Sequence, residues 1–450
     1  MRARFTAFFG RWYFAFALAL WVFSPELRRF IDWQSSFHKL SLLSVLPLAG
    51  MLPGLLLLAP RWKRLGPLYR LAVAIWLGTL AYAFFIGFFS GSRVSALYDA
   101  VIFSFPLLAG VFLAVADDDL AGTYERFSGA LLWLAAISSL YGIYQYVSPP
   151  PWDVYWVQNS GLVSTGQPVP FGLRAFGTLN AYAAFAHFLS FTLVINLPRL
   201  RLGRPLVAVL FVPCAIALIL TLDRTAWLSF SAGTLLYVVF SPQRRNALVA
   251  IGSAALFCAV IATGLIFTIK GASDAVSDIQ QRFSTLGNLS DDYSLQSREL
   301  QTDEAYHQGF EEPLGQGLGS VGTAAVASNA EATNTLDNGY LSRFVEFGVV
   351  GFPAYLFVLG LAFVGTFRAY RASLRAGDPR IAGILAMAVA VQAMLVGTEF
   401  SGDSHDSLPG LFFWATFYFG SSYLAAFAAK RAATAGEIYP ALRPAFGAER

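Results

Sequence analysis

Long apolar runs recur along the whole chain, and short polar segments separate them. A helix crossing the hydrocarbon core of a bilayer needs about 20 mostly apolar residues. Inside that core every backbone N–H and C=O must find its partner within the protein. A chain patterned this way is therefore expected to be all-α, a polytopic membrane protein forming one domain over residues 1–450. The runs fall at 12–23, 40–59, 71–89, 97–116, 128–146, 181–197, 205–222, 225–240, 247–269, 341–366, 381–396 and 411–427, which predicts about twelve spans. Between 205 and 240 the only interruption is Thr221-Leu222-Asp223-Arg224, read as a very tight turn between two helices. The first run has a basic start, but no small-residue cleavage site follows it. Ser24-Pro25-Glu26-Leu27-Arg28-Arg29 reads as a polar turn, and the run as a retained span rather than a signal peptide.

Composition excludes the soluble alternatives. Hydrophobic residues make up 56% of the chain and charged residues 13%, against about 25% charge in an ordinary soluble domain. That rules out a disordered or collagen-like chain. The pI near 9.0 would suit a nucleic-acid binder, but the net charge is only +4 and the basic residues form no single patch. No nucleic-acid partner is expected. The two cysteines, Cys214 and Cys258, lie in apolar runs. With His38, His187, His307 and His405 scattered, no metal site and no cofactor are expected.

Basic residues set the orientation. Most of the 31 Lys and Arg fall in alternate segments, around Arg2, Arg61, Arg126, Arg199, Arg244, Arg368 and Lys430. The positive-inside rule makes those segments cytoplasmic. Both termini then lie inside, including a tail over 429–450, and Asp117-Asp118-Asp119 falls in a hydrated inner loop. Two outer segments are long, 147–180 and 270–340. Long connections are usually functional or disordered, and the second carries helical, glycine-rich and polar stretches in turn. The first contains the aromatics of 149–156, expected in an interfacial belt or stacked on sugars.

Arg174, Arg224, Arg298 and Arg343 lie at predicted helix ends on the outer side, where the inside rule does not need them. Arginine at membrane depth is costly and points to function, and a guanidinium fork suits phosphate oxygens. The alternative is local pairing, Arg224 with Asp223 and Arg343 with Glu346 at i,i+3. Gly317, Gly319 and Gly322 satisfy G-x-G-x-x-G but lack a βαβ context, so they read as a turn. Glu399, Asp403, His405 and Asp406 cluster in the last outer loop, as a solvated loop first, or as a sugar rim or second acid/base site.

Four segments carry a resemblance. They are RAFGTLN at 174–180, LTLDRTAWL at 220–228, QSREL at 296–300 followed by EEPLGQGLG at 311–319, and LDNGYL at 336–341 running into RFVEFGVVG at 343–351. In order and spacing they resemble the bacterial O-antigen ligase and O-antigen polymerase superfamily, from about residue 174 to 361. The resemblance implies a helical, GT-C-like membrane glycosyltransferase that needs no metal and works on the periplasmic side of the inner membrane. Its donor would be a glycan on undecaprenyl diphosphate and its acceptor a sugar or lipid-linked hydroxyl. Membrane lipids and a chain-length regulator would be its partners. Arg224 and Arg298 would hold the diphosphate as catalytic residues, with Arg174, Asn338, Tyr340, Arg343 and His307 around the substrate. Ligases of the family usually carry a histidine where this chain has Asp337. A carboxylate there could act as base, bind sugar hydroxyls, or cap the tenth helix. The missing histidine favours a polymerase over a ligase. The alternative of another class is a polyprenyl-glycan flippase.

Overall fold

The computed structural model describes residues 2–38, 41–115, 119–161, 163–252, 255, 302–303, 305–322, 325, 336, 338–402 and 405–438. Its regular elements are helical: α1 (Arg2–Gln34), α2 (Leu46–Arg61), α3 (Pro67–Ser90), α4 (Arg93–Ser104), α5 (Leu108–Val115), α6 (Leu120–Val147), α7 (Pro151–Ser160), α8 (Tyr182–Arg201), α9 (Pro205–Leu220), α10 (Arg224–Phe240), α11 (Gly339–Ala376), α12 (Pro379–Thr398) and α13 (Ser407–Ile438). Among the described residues eight helical stretches are long and apolar enough to cross a membrane, and the apolar helix Pro205–Leu220 is shorter. The expected run 247–269 lies mostly outside the described residues. α8, α12 and α13 form the middle of the bundle. Their inward faces are apolar, and Phe412, Phe413, Trp414, Phe417 and Phe419 of α13 are fully buried. α3, α11 and α12 pack around α13, while α6, α9 and α10 pack around α8 and α12.

Two expectations change. The segment 24–29 is not a turn, because α1 continues through it to Gln34 with Pro25 inside. Proline removes one helical hydrogen bond, but the charges that suggested a turn are paired along the helix. Arg29 pairs with Glu26 at i,i+3 and Arg28 with Asp32 at i,i+4. The tail, expected from Ala432 on to be flexible because of Pro440 and Pro444, is also helical as far as Ile438. The tight turn between α9 and α10 is as expected.

Helix breaks are satisfied by neighbouring elements. Pro106 divides α4 from α5 through a short 3₁₀ turn. From α3, Trp76 Nε1 donates to Phe103 O at 3.0 Å and the Tyr69 hydroxyl donates to Leu107 O at 2.6 Å. The break in α11 is larger, since Gly348 sits at φ 61°, ψ −173°. The segment 313–318 threads between this kink and α3. Gln316 N donates to Val345 O at 2.9 Å, Gly317 N to Glu346 O at 3.0 Å, and Val349 N to Pro313 O at 3.0 Å. On its other side Leu318 N donates to Ala83 O at 3.0 Å, and the Tyr82 hydroxyl to Leu314 O at 2.7 Å. The glycine run is thus a packing device. Gly317 has φ 84°, and a Cβ there would lie 2.0 Å from Gly87 N.

Gly317→Ala is expected to destabilise the protein by more than the roughly 1–2 kcal/mol of a left-handed backbone, because the clash is with backbone. Gly360→Ala, with open space around it, should be neutral. Thermal unfolding of the detergent-solubilised protein measures both; equal melting temperatures would refute the threading.

Candidate functional site

Alternation of the spans brings the ends of α1, α3, α6, α9 and α12 together with the starts of α4, α8, α10, α11 and α13. The opposite end gathers residues expected inside. Glu125 accepts from Arg199 at 3.1 Å and Arg204 at 2.5 Å, and Arg380 lies 3.6 Å away. Asp119 caps α6 there through Gly122 N.

At the first end, the 163–181 segment runs as a strap over the bundle. Phe171 N donates to Tyr146 O at 2.9 Å, Arg174 N to Thr165 O at 2.9 Å, and Ala175 N to Leu220 O at 3.0 Å. That last bond ties the strap to the α9–α10 turn. Leu222 adopts φ 52° in the turn, and Asp223 Oδ1 caps α10 by accepting from Ala226 N at 3.1 Å. Arg224 is the first residue of α10 and half-buried. Arg174, also half-buried, places its guanidinium over the Tyr182 ring at 4.6 Å. Two arginines singled out in the sequence therefore flank one backbone hydrogen bond. His187, one and a half turns into α8, has a buried Nε2 with no hydrogen-bond partner, and Asp223 is its charged neighbour.

The start of α11 is built differently. Asn338 is its cap, with Oδ1 accepting from Tyr340 N at 3.0 Å and Leu341 N at 3.3 Å. The cap is therefore the residue after Asp337, and Asp337 itself lies outside the described residues. The Tyr340 hydroxyl donates to Val396 O at 2.8 Å and its ring packs on Phe400 at 4.8 Å. Arg343 is buried, lies over the Phe103 ring at 4.2 Å and pairs with Glu346, the local pairing weighed above. Arg298 also lies outside the described residues. His307 is exposed, on the helical residues 305–311.

Two features were missed or misjudged. Glu399 and His405 are not a solvated loop, each being 1% exposed. The Tyr355 hydroxyl donates to Glu399 Oε1 at 2.8 Å, and His405 Nδ1 lies 2.8 Å from Glu399 Oε2. This array locks α11, α12 and α13 beneath Tyr340. The second is a buried network around Arg29, which also anchors the strap. The i,i+3 spacing of Glu26 and Arg29 was its only sequence signal.

Residues 208–356 match the family described as O-antigen ligase. The matched stretch spans Arg224, the threaded glycine segment and the kinked start of α11. No curated protein is similar enough to match the chain.

Arg343→Leu should cost about 3 kcal/mol, because it strands the Glu346 carboxylate in the interior. Replacing both residues, Arg343→Leu with Glu346→Leu, should recover at least half of that loss. Thermal unfolding checks this, and a double variant as unstable as the single one would rule out the pair as the main role of Arg343.

Proposed function

We propose that this chain, whose residues 208–356 carry the O-antigen ligase family domain, is a polysaccharide polymerase. It transfers a glycan from undecaprenyl diphosphate to a sugar hydroxyl of a lipid-linked repeat unit. The reading includes twelve spans, with termini inside and 270–340 outside, so that the site faces the periplasm from the bacterial inner membrane. The observation that supports it most is the junction of Arg174 and Arg224 at the strap and turn. Transfer of this kind develops charge on a diphosphate leaving group. Guanidinium groups neutralise that charge where it forms, by electrostatic stabilisation in a low-dielectric site, and this needs no metal. Arg298 completes the donor set. Asn338 and Tyr340 border the acceptor side, with His307 at its rim and Arg343 beneath. Asp337, next to the α11 cap, is the acceptor-side carboxylate. Labelling of cysteines placed in 270–340 from the cytoplasmic side only would refute this topology.

The second reading is a ligase acting on lipid A-core or protein; the aspartate at 337, where ligases carry histidine, favours the polymerase. A flippase would line its path with charge. Here the buried charged side chains among the described residues lie within about two turns of helix ends, which disfavours that class.

A deletion strain tests the reaction. Loss of a polymerase leaves single-repeat caps, whereas loss of a ligase accumulates long lipid-linked chains. Complementation with Arg224→Ala or Arg298→Ala should restore no polymer, and the lysine variants should also fail substantially, since a point charge lacks the bidentate fork. With purified lipid-linked substrate, Asp337→Asn should cut turnover strongly with donor binding intact if the carboxylate is the base. Turnover within a few-fold of wild type would remove Asp337 from the mechanism.

A further inference from the structure

The strap reaches its place through side chains far away in sequence. Arg29, at the outer end of α1, is 0% exposed. Its guanidinium donates to Gly177 O at 2.6 Å and to Leu179 O, pairs with Asp153 at 2.7 Å and with Glu26, and lies over the Phe176 ring at 4.7 Å. On α6, Gln145 Oε1 accepts from Phe176 N and Gly177 N, each at 3.0 Å, while its Nε2 donates to Asp153 Oδ2 at 2.5 Å. The Tyr141 hydroxyl lies 2.7 Å from both Glu26 Oε1 and Asp153 Oδ2, and Trp152 Nε1 donates to Glu26 Oε1 at 2.6 Å. The backbone of 176–179 is therefore held by side chains from α1 and α6.

A buried ionic network is a poor route to stability alone, since an apolar cluster of the same volume often serves as well or better. What it supplies is geometry. Gly177 sits at φ 54°, and a Cβ there would meet the Phe185 ring at 2.7 Å, so the strap cannot relax inward. Two residues before Phe176 stands Arg174. One residue before it, Ala175 is bonded to Leu220, four residues from Arg224.

We infer that Arg29, Gln145 and Asp153 are positioning residues for the donor site: by fixing the backbone of 176–179 they hold Arg174 beside the turn that carries Arg224, so that both address one diphosphate. This rests on the reading of Arg174 and Arg224 as donor ligands. The network touches no substrate. Its contribution passes through Arg174, and a displacement of about 1 Å at a positioned group is enough to cost large factors in binding or rate.

The probe is undecaprenyl diphosphate itself, bound to the purified full-length protein, with undecaprenyl monophosphate as comparison. Arg29→Lys keeps the charge and loses the fork that spans two carbonyls; Gln145→Met keeps the shape and loses the amide's hydrogen bonds to Asp153 and the strap. Each should weaken diphosphate binding at least tenfold and monophosphate binding much less. Combined with Arg174→Ala, neither should weaken binding further, because groups acting through one residue are not additive. Should Arg29→Lys fail to fold, Gln145→Met and Asp153→Asn carry the same test. Wild-type affinity in the folded variants, or losses that multiply with that of Arg174→Ala, would overturn the positioning role while leaving the donor reading intact. An Arg174→Ala protein that binds diphosphate like wild type would overturn the donor reading, and the inference with it.

Discussion

Backbone satisfaction in a medium without water governs this architecture. Unbroken helices meet it by themselves, but a bundle of unbroken helices offers no concave site. Each departure from regular helix therefore needs a built replacement. At Pro106 the replacements are the Tyr69 hydroxyl and the Trp76 indole. At Gly348 they are the amides of Gln316 and Gly317 and the carbonyl of Pro313. The kink lets the first turns of α11 swing against the end of α12, where Tyr340 meets Val396 and, in the turn that follows, Phe400. The family-matched stretch thus contains both the break and the segment that satisfies it, two parts that are structurally meaningless alone.

The same constraint sorts the charges. Arg29 and Arg343 are both buried and both neutralised by carboxylates. Burying a cation costs several kcal/mol unless it is paired and hydrogen-bonded. Such arginines serve geometry. Arg174 differs in kind, being half-buried and placed over an aromatic ring. Stacking on a ring engages the guanidinium without consuming its N–H donors, which is the arrangement an anion ligand requires.

Much of the fold was legible because its signals are local. Span positions follow from apolar length, and the α9–α10 turn from Thr221, Asp223 and Arg224 interrupting an apolar run. Arg224 at a helix start followed from the same pattern. What was not legible depends on distant partners. The charges of 24–29 look like a turn in sequence. They form helix because Arg29 is received by Asp153 and by the carbonyls of Gly177 and Leu179, the latter 148 and 150 residues on, while Arg28 pairs with Asp32. Glu399 and His405 look like a hydrated loop for the same reason, since Tyr355, which buries them, is far away in the chain. Glycines at 315, 317 and 319 announce a turn in sequence; that the turn is threaded between α3 and α11 appears only when Ala83 and Val345 are brought to it.

On the proposed reading, division of labour between the strap and α11 also has a chemical logic. A lipid diphosphate is held by several charge-assisted bonds whose strength depends on fork geometry, so its ligands need fixed positions. An acceptor hydroxyl needs only one well-placed base and room to arrive. The strap meets the first demand, since its 176–179 backbone is bound by side chains from two helices. On the proposed reading Asp337, the residue before the α11 cap, meets the second. Asn338 caps it, Tyr340 pins it to α12, and the buried pair of Arg343 with Glu346 lies one turn below. A sugar approaching that end would meet the residues before the cap first, while Glu346, fully buried, stays out of reach. On the proposed reading, donor ligands on one element and an acceptor group at the tip of another let either lipid-linked substrate be exchanged without moving the other's ligands.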